Sequence, residues 1–211
     1  MRGAAAAGRW RAGYRSGVAA RDPQPRSLSR ARIVECALEI IRTDGVDGLT
    51  MRVLAERLGV SAAAAYKHVA DKDALLRLAA DQLFSQVEEG DVAGADWIAR
   101  LRALMIRFYD VMTEYPGMSG FIALDPDEFP RRHMAATMHE ILSHAGFDTD
   151  EAWDVLTTFV FLASGALDGP MRRRDLGPNR DELLRAAYAR ALDRVLDGLQ
   201  VAHPVAIEPP T

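Results

Sequence analysis

Apolar residues recur at three- and four-residue intervals through most of the chain, and no run alternates with period two over the length of a strand. The pattern predicts helices nearly throughout. Leu28 and Ser29 open the first, with Leu28 able to meet Ile33 in a hydrophobic staple, and Ile33, Val34, Ala37, Leu38, Ile40 and Ile41 forming one wide face that ends at Thr43-Asp44-Gly45. The stretch from Leu49 to Leu78 then spells two short helices joined by a tight turn. Thr50 is placed as an N-cap, and Leu54, Ala55 and Leu58 share one side of a helix over 51–58, leaving Arg52, Glu56 and Arg57 toward solvent. Gly59 stops that helix, Val60 points inward from the turn, and Ser61 caps a second helix from Ala62 to about Val69. Three turn residues leave no room for antiparallel packing, and small Ala55 and Ala65 permit a close, steep crossing, which is helix-turn-helix geometry. Tyr66, Lys67 and His68 are contiguous, so they cannot all face inward; some must face a partner.

Beyond this unit Asp71 caps a helix running from Lys72 to about Glu89, with Leu75, Leu76, Leu78, Ala79, Leu83 and Val87 as its buried stripe. Gly90 to Gly94 is a break and a candidate boundary. Trp97 to Glu114 carries Leu101, Leu104, Met105, Phe108, Tyr109 and Met112 on a helical period and is stopped by Tyr115-Pro116-Gly117. The span from Met118 to Pro130, holding Pro126 and Pro130, reads as loops with short helical turns. Helices follow over Arg131 to Ala145, closed by Gly146; over Asp148 to Leu167, the most apolar of all; and over Asp181 to about Leu199.

The run LT-x-R-x-LA-x-x-LGVS-x-x-x-x-Y-x-HV-x-x-K-x-ALL strongly resembles the DNA-binding head of the tetracycline-repressor (TetR) family of bacterial one-component regulators. The resemblance covers about Ser29 to Leu78; the rest of the chain is similar to the family only in helix content and length. It implies an all-α protein with an N-terminal three-helix helix-turn-helix head over 28–89 (motif about 51–70) on a larger helical body over 95–200 that binds an effector and dimerises. A basic extension, 1–27, and a flexible tail, 201–211, flank these. Double-stranded operator DNA, a small-molecule effector and a second copy of the chain are the implied partners, with no cofactor.

Within the head, Lys67 on the outward face is the base-reading candidate, because a lysine can donate to guanine O6 and N7. Tyr66 and His68 match the family's paired aromatic and histidine, which resemble phosphate-clamping groups. Thr50, Arg52, Ser61 and Lys72 sit where the family expects phosphate contacts, which position the head without reading sequence. The bland alternative makes Tyr66 and His68 core residues. One departure stands out: Ala62, Ala63 and Ala64 occupy the variable base-facing positions with bare methyl groups, which can meet thymine methyls but cannot hydrogen-bond a base edge. Direct readout should be thin, leaving specificity to Lys67, methyl contacts, DNA shape or the arginine-rich arm.

Net charge of -4 argues against a nucleic-acid binder until its distribution is considered. Residues 1–30 carry seven Arg and one Asp (+6), 31–90 seven basic against ten acidic (-3), and 91–211 twelve against nineteen (-7). Positive charge is local to the arm, Arg52, Lys67 and Lys72, while the acidic body should stay off DNA. The arm over 1–26, rich in Ala, Gly, Arg and Pro, reads as disordered, either a basic minor-groove arm or a solvated tail, and it lacks the apolar core of a secretory signal. The single cysteine, Cys36, falls in an apolar-periodic segment and reads as a buried thiol. A reducing cytoplasm is the natural setting for such a thiol, and with no apolar run near the roughly 18 residues that span a bilayer, no membrane span is expected.

Other chemistry is weaker. His139, Glu140 and His144 in HEILSH resemble the H-E-x-x-H zinc signature with one residue too many; five positions put the histidines about 140° apart around a helix, so no metal is expected. Arg172-Arg173-Arg174 reads as a solvated linker beside Asp168 and Asp175, with anion binding as its rival. No paired acid and base, nucleophile or cofactor loop points to an enzyme. Resemblance to the family implies an effector pocket in the body, and Phe108, Tyr109, Met112, Met134, Met138 and Trp153 are chosen as its lining because such pockets are largely apolar. The Asp148–Leu167 helix, apolar nearly all round, needs burial on several sides, and with the last helix it resembles the family's share of a four-helix dimer interface. The reading is a dimeric, ligand-responsive regulator, most simply a repressor released from a palindromic operator. An activator of the same family, or a helical interaction protein whose alanine-rich head no longer reads DNA, stands as the alternative.

Overall fold

The computed structural model describes residues 28–88, 96–124, 134–169 and 177–202. Within them lie nine helices and no strand. The arm over 1–27, the break at 90–94, Pro126 and Pro130, the arginine run 172–174 and the tail from 203 fall outside the described residues.

Helix α1 (Arg30–Gly48) starts where the Ser29 side chain accepts the Arg32 N–H, and its helical path breaks at Gly45. Its buried face is the predicted one, joined by Cys36, whose thiol is pushed up by burial and then by Glu39, which keeps it in the inert protonated form. The predicted α2 (Met51–Leu58) is present, capped by Thr50, whose hydroxyl accepts the Val53 N–H at 3.1 Å. Helix α3 (Ala62–Tyr66) is shorter than the sequence pattern suggests. Its end tightens into a turn, His68 N–H bonding back to the Ala65 carbonyl at 3.0 Å, which frees the chain to redirect before Asp71 caps α4 (Lys72–Glu88) through the Ala74 N–H at 2.7 Å.

The body begins at α5 (Trp97–Thr113), capped by Asp96, and continues through α6 (Met118–Leu124), α7 (Met134–His144), α8 (Thr149–Leu167) and α9 (Arg180–Ala202). Helix α8 carries a full capping box, Asp148 and Glu151 each satisfying the other's backbone. The seven residues of α6 form a short helix at the start of the stretch read as loops with short helical turns. The Gly117 and Gly120 N–H groups at its opening are satisfied by the carboxylate of Asp168, the residue just past α8, and its Met118, Ser119 and Ile122 are buried.

Helix α5 is the centre of the body. Phe108 stacks on Phe84 of α4 with ring centroids 6.1 Å apart, and Tyr109 stacks on Tyr188 of α9 at 4.5 Å. Outside this core, Arg185 grips Asp110 through two bonds of 2.6 and 2.7 Å, and Arg102 reaches Asp193 at 2.7 Å. Both pairs are substantially exposed, so they add little beyond fixing the α5–α9 register. Among the described residues, no helix is long and apolar enough to cross a membrane.

Burial, with Tyr109 and Asp110 nearby, pushes the Tyr188 hydroxyl well above the usual tyrosine range. The fold favours the protonated phenol, so this contribution is complete below about pH 10 and is lost as pH climbs past that value. Urea unfolding at pH about 9 and about 11 should show the stability falling at the higher pH, and Tyr188→Phe should shrink that fall. In the head, Thr50→Ala should cost about 1 kcal/mol, read as a lowered urea midpoint and faster amide exchange at Val53.

Candidate nucleic-acid interface

Caps three residues long build the reading unit. Thr50 opens α2, and Gly59 closes it at φ 68°, a left-handed conformation that only glycine adopts without cost. The Val60 N–H returns to the Ala55 carbonyl at 3.0 Å, and Ser61 restarts the helix by accepting the Ala64 N–H at 3.2 Å. Ala65 is fully buried and Val69 is 3% exposed, so α3 and the turn after it sit on the head through these two positions.

Met51, Leu54, Ala55 and Leu58 bury the inner side of α2, and the predicted site residues lie on the other side. Thr50, Arg52, Ser61, Ala62, Ala63 and Lys67 are exposed, Ala64, His68 and Lys72 half-buried. Tyr66 is 51% exposed, which removes the reading of it as core. Along α3 and its C-cap, two exposed methyl groups, a phenol and an ammonium follow one another. Arg52 lies near Glu56 at 4.0 Å, a loose and largely exposed pair that leaves the guanidinium available to a phosphate.

Lys72 differs from expectation in its surroundings. Its ammonium donates to the Val46 carbonyl at 2.8 Å, in the last turn of α1 past the break at Gly45. That same turn touches the body: the Val46 N–H donates to the Pro116 carbonyl at 2.9 Å. Arg42 of α1 adds a second link, donating to the Tyr115 hydroxyl at 2.5 Å, pairing with Glu114 at 3.1 Å and lying over the Tyr115 ring. Neither Val46 nor Pro116 carries any local sequence signal for this role, because the bonds are made by backbone atoms.

The residues chosen for the effector pocket divide. Met138 and Trp153 line a cavity of about 230 Å³ between α7 and α8, together with Ala136, His139, Thr149, Ala152 and Leu156. Phe108, Tyr109 and Met112 are at most 2% exposed and belong to the packed centre, not to this lining. The Met134 side chain lies outside the described set. His139 and Thr149, which the sequence choice passed over, give the cavity its polar groups. His139 and His144 are both exposed, and among the described residues no group of three or more His, Cys, Asp or Glu could hold a metal ion.

Comparison with known proteins matches this geometry. Residues 33–79 fit the family described as bacterial regulatory proteins, tetR family. A transcriptional regulator of the helix-turn-helix type from Saccharopolyspora erythraea is 29% identical over 170 residues, 79% of this chain and 72% of that one. The class A tetracycline repressor protein from transposon 1721 of Escherichia coli is 29% identical over 175 residues, 82% of this chain and 81% of that one. Among solved structures, a TetR variant from Acinetobacter baumannii AYE in complex with minocycline superposes with a TM-score of 0.71 at 24% identity, over 84% of this chain and 99% of that one, a likeness of fold. The head is thus shared in sequence and the whole in architecture, and the chain belongs to the tetracycline-repressor family of DNA-binding transcriptional regulators.

Proposed function

We propose that this chain is a ligand-responsive repressor that binds a palindromic operator as a homodimer and is released from it by a small apolar or amphipathic effector. The observation that carries the reading is the exposed Tyr66-Lys67 pair at the end of a recognition helix anchored through Ala65 and Val69. In this reading residues 28–89 form the DNA-binding unit and 95–200 the effector and dimerisation unit. Lys67 reads a base edge, while Tyr66, His68, Thr50, Arg52 and Ser61 hold phosphates. Ala62 to Ala64 contribute methyl contacts alone, so part of the specificity rests on DNA shape.

Support for the dimer comes from surface chemistry. The large apolar side chains left exposed on the described body are Phe161 on α8, at 65%, and Leu183 and Val201 on α9, at 52% and 85%. Both helices are those expected to pair with a second copy, and a two-fold arrangement would present two recognition helices to successive major grooves. Support for an effector comes from the α7–α8 cavity, apolar with one histidine and one threonine, and from relatives that are repressors of tetracycline type, one structural neighbour of which holds minocycline. An effector that binds better when the heads are wrongly spaced lowers operator affinity by its differential binding energy and by no more than that.

Fluorescence anisotropy of the full-length protein with its upstream intergenic duplex and with a scrambled duplex, across a salt series, tests the DNA reading. Tight binding confined to the native duplex is expected, with Lys67→Ala losing about 1–3 kcal/mol of discrimination. Arg52→Ala should reduce the slope of log affinity against log salt by about 0.9. Equal, weak binding to both duplexes would favour the interaction-protein alternative that the alanine-rich α3 allows. For the dimer, Phe161→Arg should convert the protein to a monomer in sedimentation velocity while leaving the helical circular dichroism intact; a dimer that persists would sink the α8–α9 interface.

A further inference from the structure

Methyl groups make up most of the outward face of α3. At about 100° per residue, Ala63 and Lys67 each lie about 160° around the helix from Ala65, whose side chain is fully buried. They therefore mark the line of α3 farthest from the core of the head. Ala62 beside them is exposed as well, and Ala64 is half-buried. Between Ser61, whose hydroxyl oxygen accepts the Ala64 N–H, and the exposed Tyr66, no side chain extends past Cβ. Nothing there holds the α3 backbone off the floor of a major groove, and the groups that reach the base edges first are methyls.

Thymine and cytosine differ at their major-groove edges in two ways: thymine carries the O4 acceptor and a C5 methyl, cytosine the N4 donor and a bare C5. A hydrogen-bonding side chain senses the first difference, and a methyl group senses the second. We propose that Ala63, with Ala62 beside it, forms a 5-methylpyrimidine site, which takes thymine and 5-methylcytosine alike and disfavours unmethylated cytosine. This specificity rests on the operator-binding role proposed for the chain and identifies the bases that its recognition helix takes. Lys67 lies on the same line but four residues on, about 6 Å along the helix axis. That exceeds the base-pair step of about 3.4 Å, so its polar readout falls on a different base pair and leaves the site to the methyls. Methylation of cytosine at C5 would thereby strengthen binding where the unmodified base is disfavoured.

Fluorescence anisotropy of the full-length protein, with a duplex that it selects from a random-sequence pool, tests the site. Replacing each thymine in turn by deoxyuridine removes one methyl and leaves O4 and the pairing unchanged. At the positions facing Ala62 and Ala63 affinity should fall about fourfold, the effect of one buried methyl. At those same positions 5-methylcytosine paired with guanine should bind within about twofold of thymine, and unmodified cytosine about fourfold more weakly. In Ala63→Gly the deoxyuridine effect should vanish at one of these positions; an effect kept at all of them would take the contact away from Ala63 and overturn its role. Where that variant fails to fold, the series on the unaltered protein decides. Deoxyuridine tolerated at every thymine would overturn the proposal. So would 5-methylcytosine as weak as cytosine, the sign of a polar group reading O4. Both of these outcomes leave the selected duplex, and with it the regulator reading, intact. A protein that selects no duplex would instead sink the regulator reading and the site together.

Discussion

Burial of α4 on two sides at once is the constraint on which the rest of the structure depends. Leu75, Leu76, Ala79, Ala80, Leu83, Phe84 and Val87 are all at most 2% exposed, a stripe too wide for one neighbour to cover. One side of it closes the head against α1, and the other packs on the body, where Phe84 meets Phe108 of α5. Close-packed surfaces of this kind move as units. The reading unit therefore hangs from a helix that belongs to both halves, and α1 meets the body again at Val46 and Arg42.

At that end, chemistry is divided unevenly between holding and reading. Exposed Thr50, Arg52, Ser61 and Tyr66 offer groups suited to phosphate, whereas α3 offers the bases two exposed methyls and the neighbouring Lys67. In the proposed reading, such a surface gains affinity from charge and discriminates through shape, methyl contacts and one lysine. The acidic body, carrying most of the chain's negative charge, leaves the head as the part a polyanion can approach.

Much of the head was legible from sequence because its determinants are local. Thr50, Gly59 and Ser61 each act on backbone within three or four residues, so their types at those spacings specify where α2 stops and α3 starts. Ala65 and Val69 inward with Tyr66 and Lys67 outward follows from helical period alone. The body was legible only as helices. On α5, Phe108, Tyr109 and Met112 lie on the inward side that their spacing indicates, but spacing cannot say whether the inward side meets a neighbour or a void; they meet neighbours, and the cavity opens between α7 and α8.

The sequence by itself determined the all-helical class, the helix-turn-helix and its outward residues, because capping and periodicity are short-range. Tertiary structure alone decided how the opening of α6 is held, since the carboxylate that satisfies the Gly117 and Gly120 N–H groups comes from Asp168, up to 51 residues away along the chain. It decided equally that Lys72 is bound to Val46, 26 residues earlier, and that Val46 itself rests on Pro116. These bonds run to backbone atoms, which every residue carries alike, so no residue type announces them before the chain has folded.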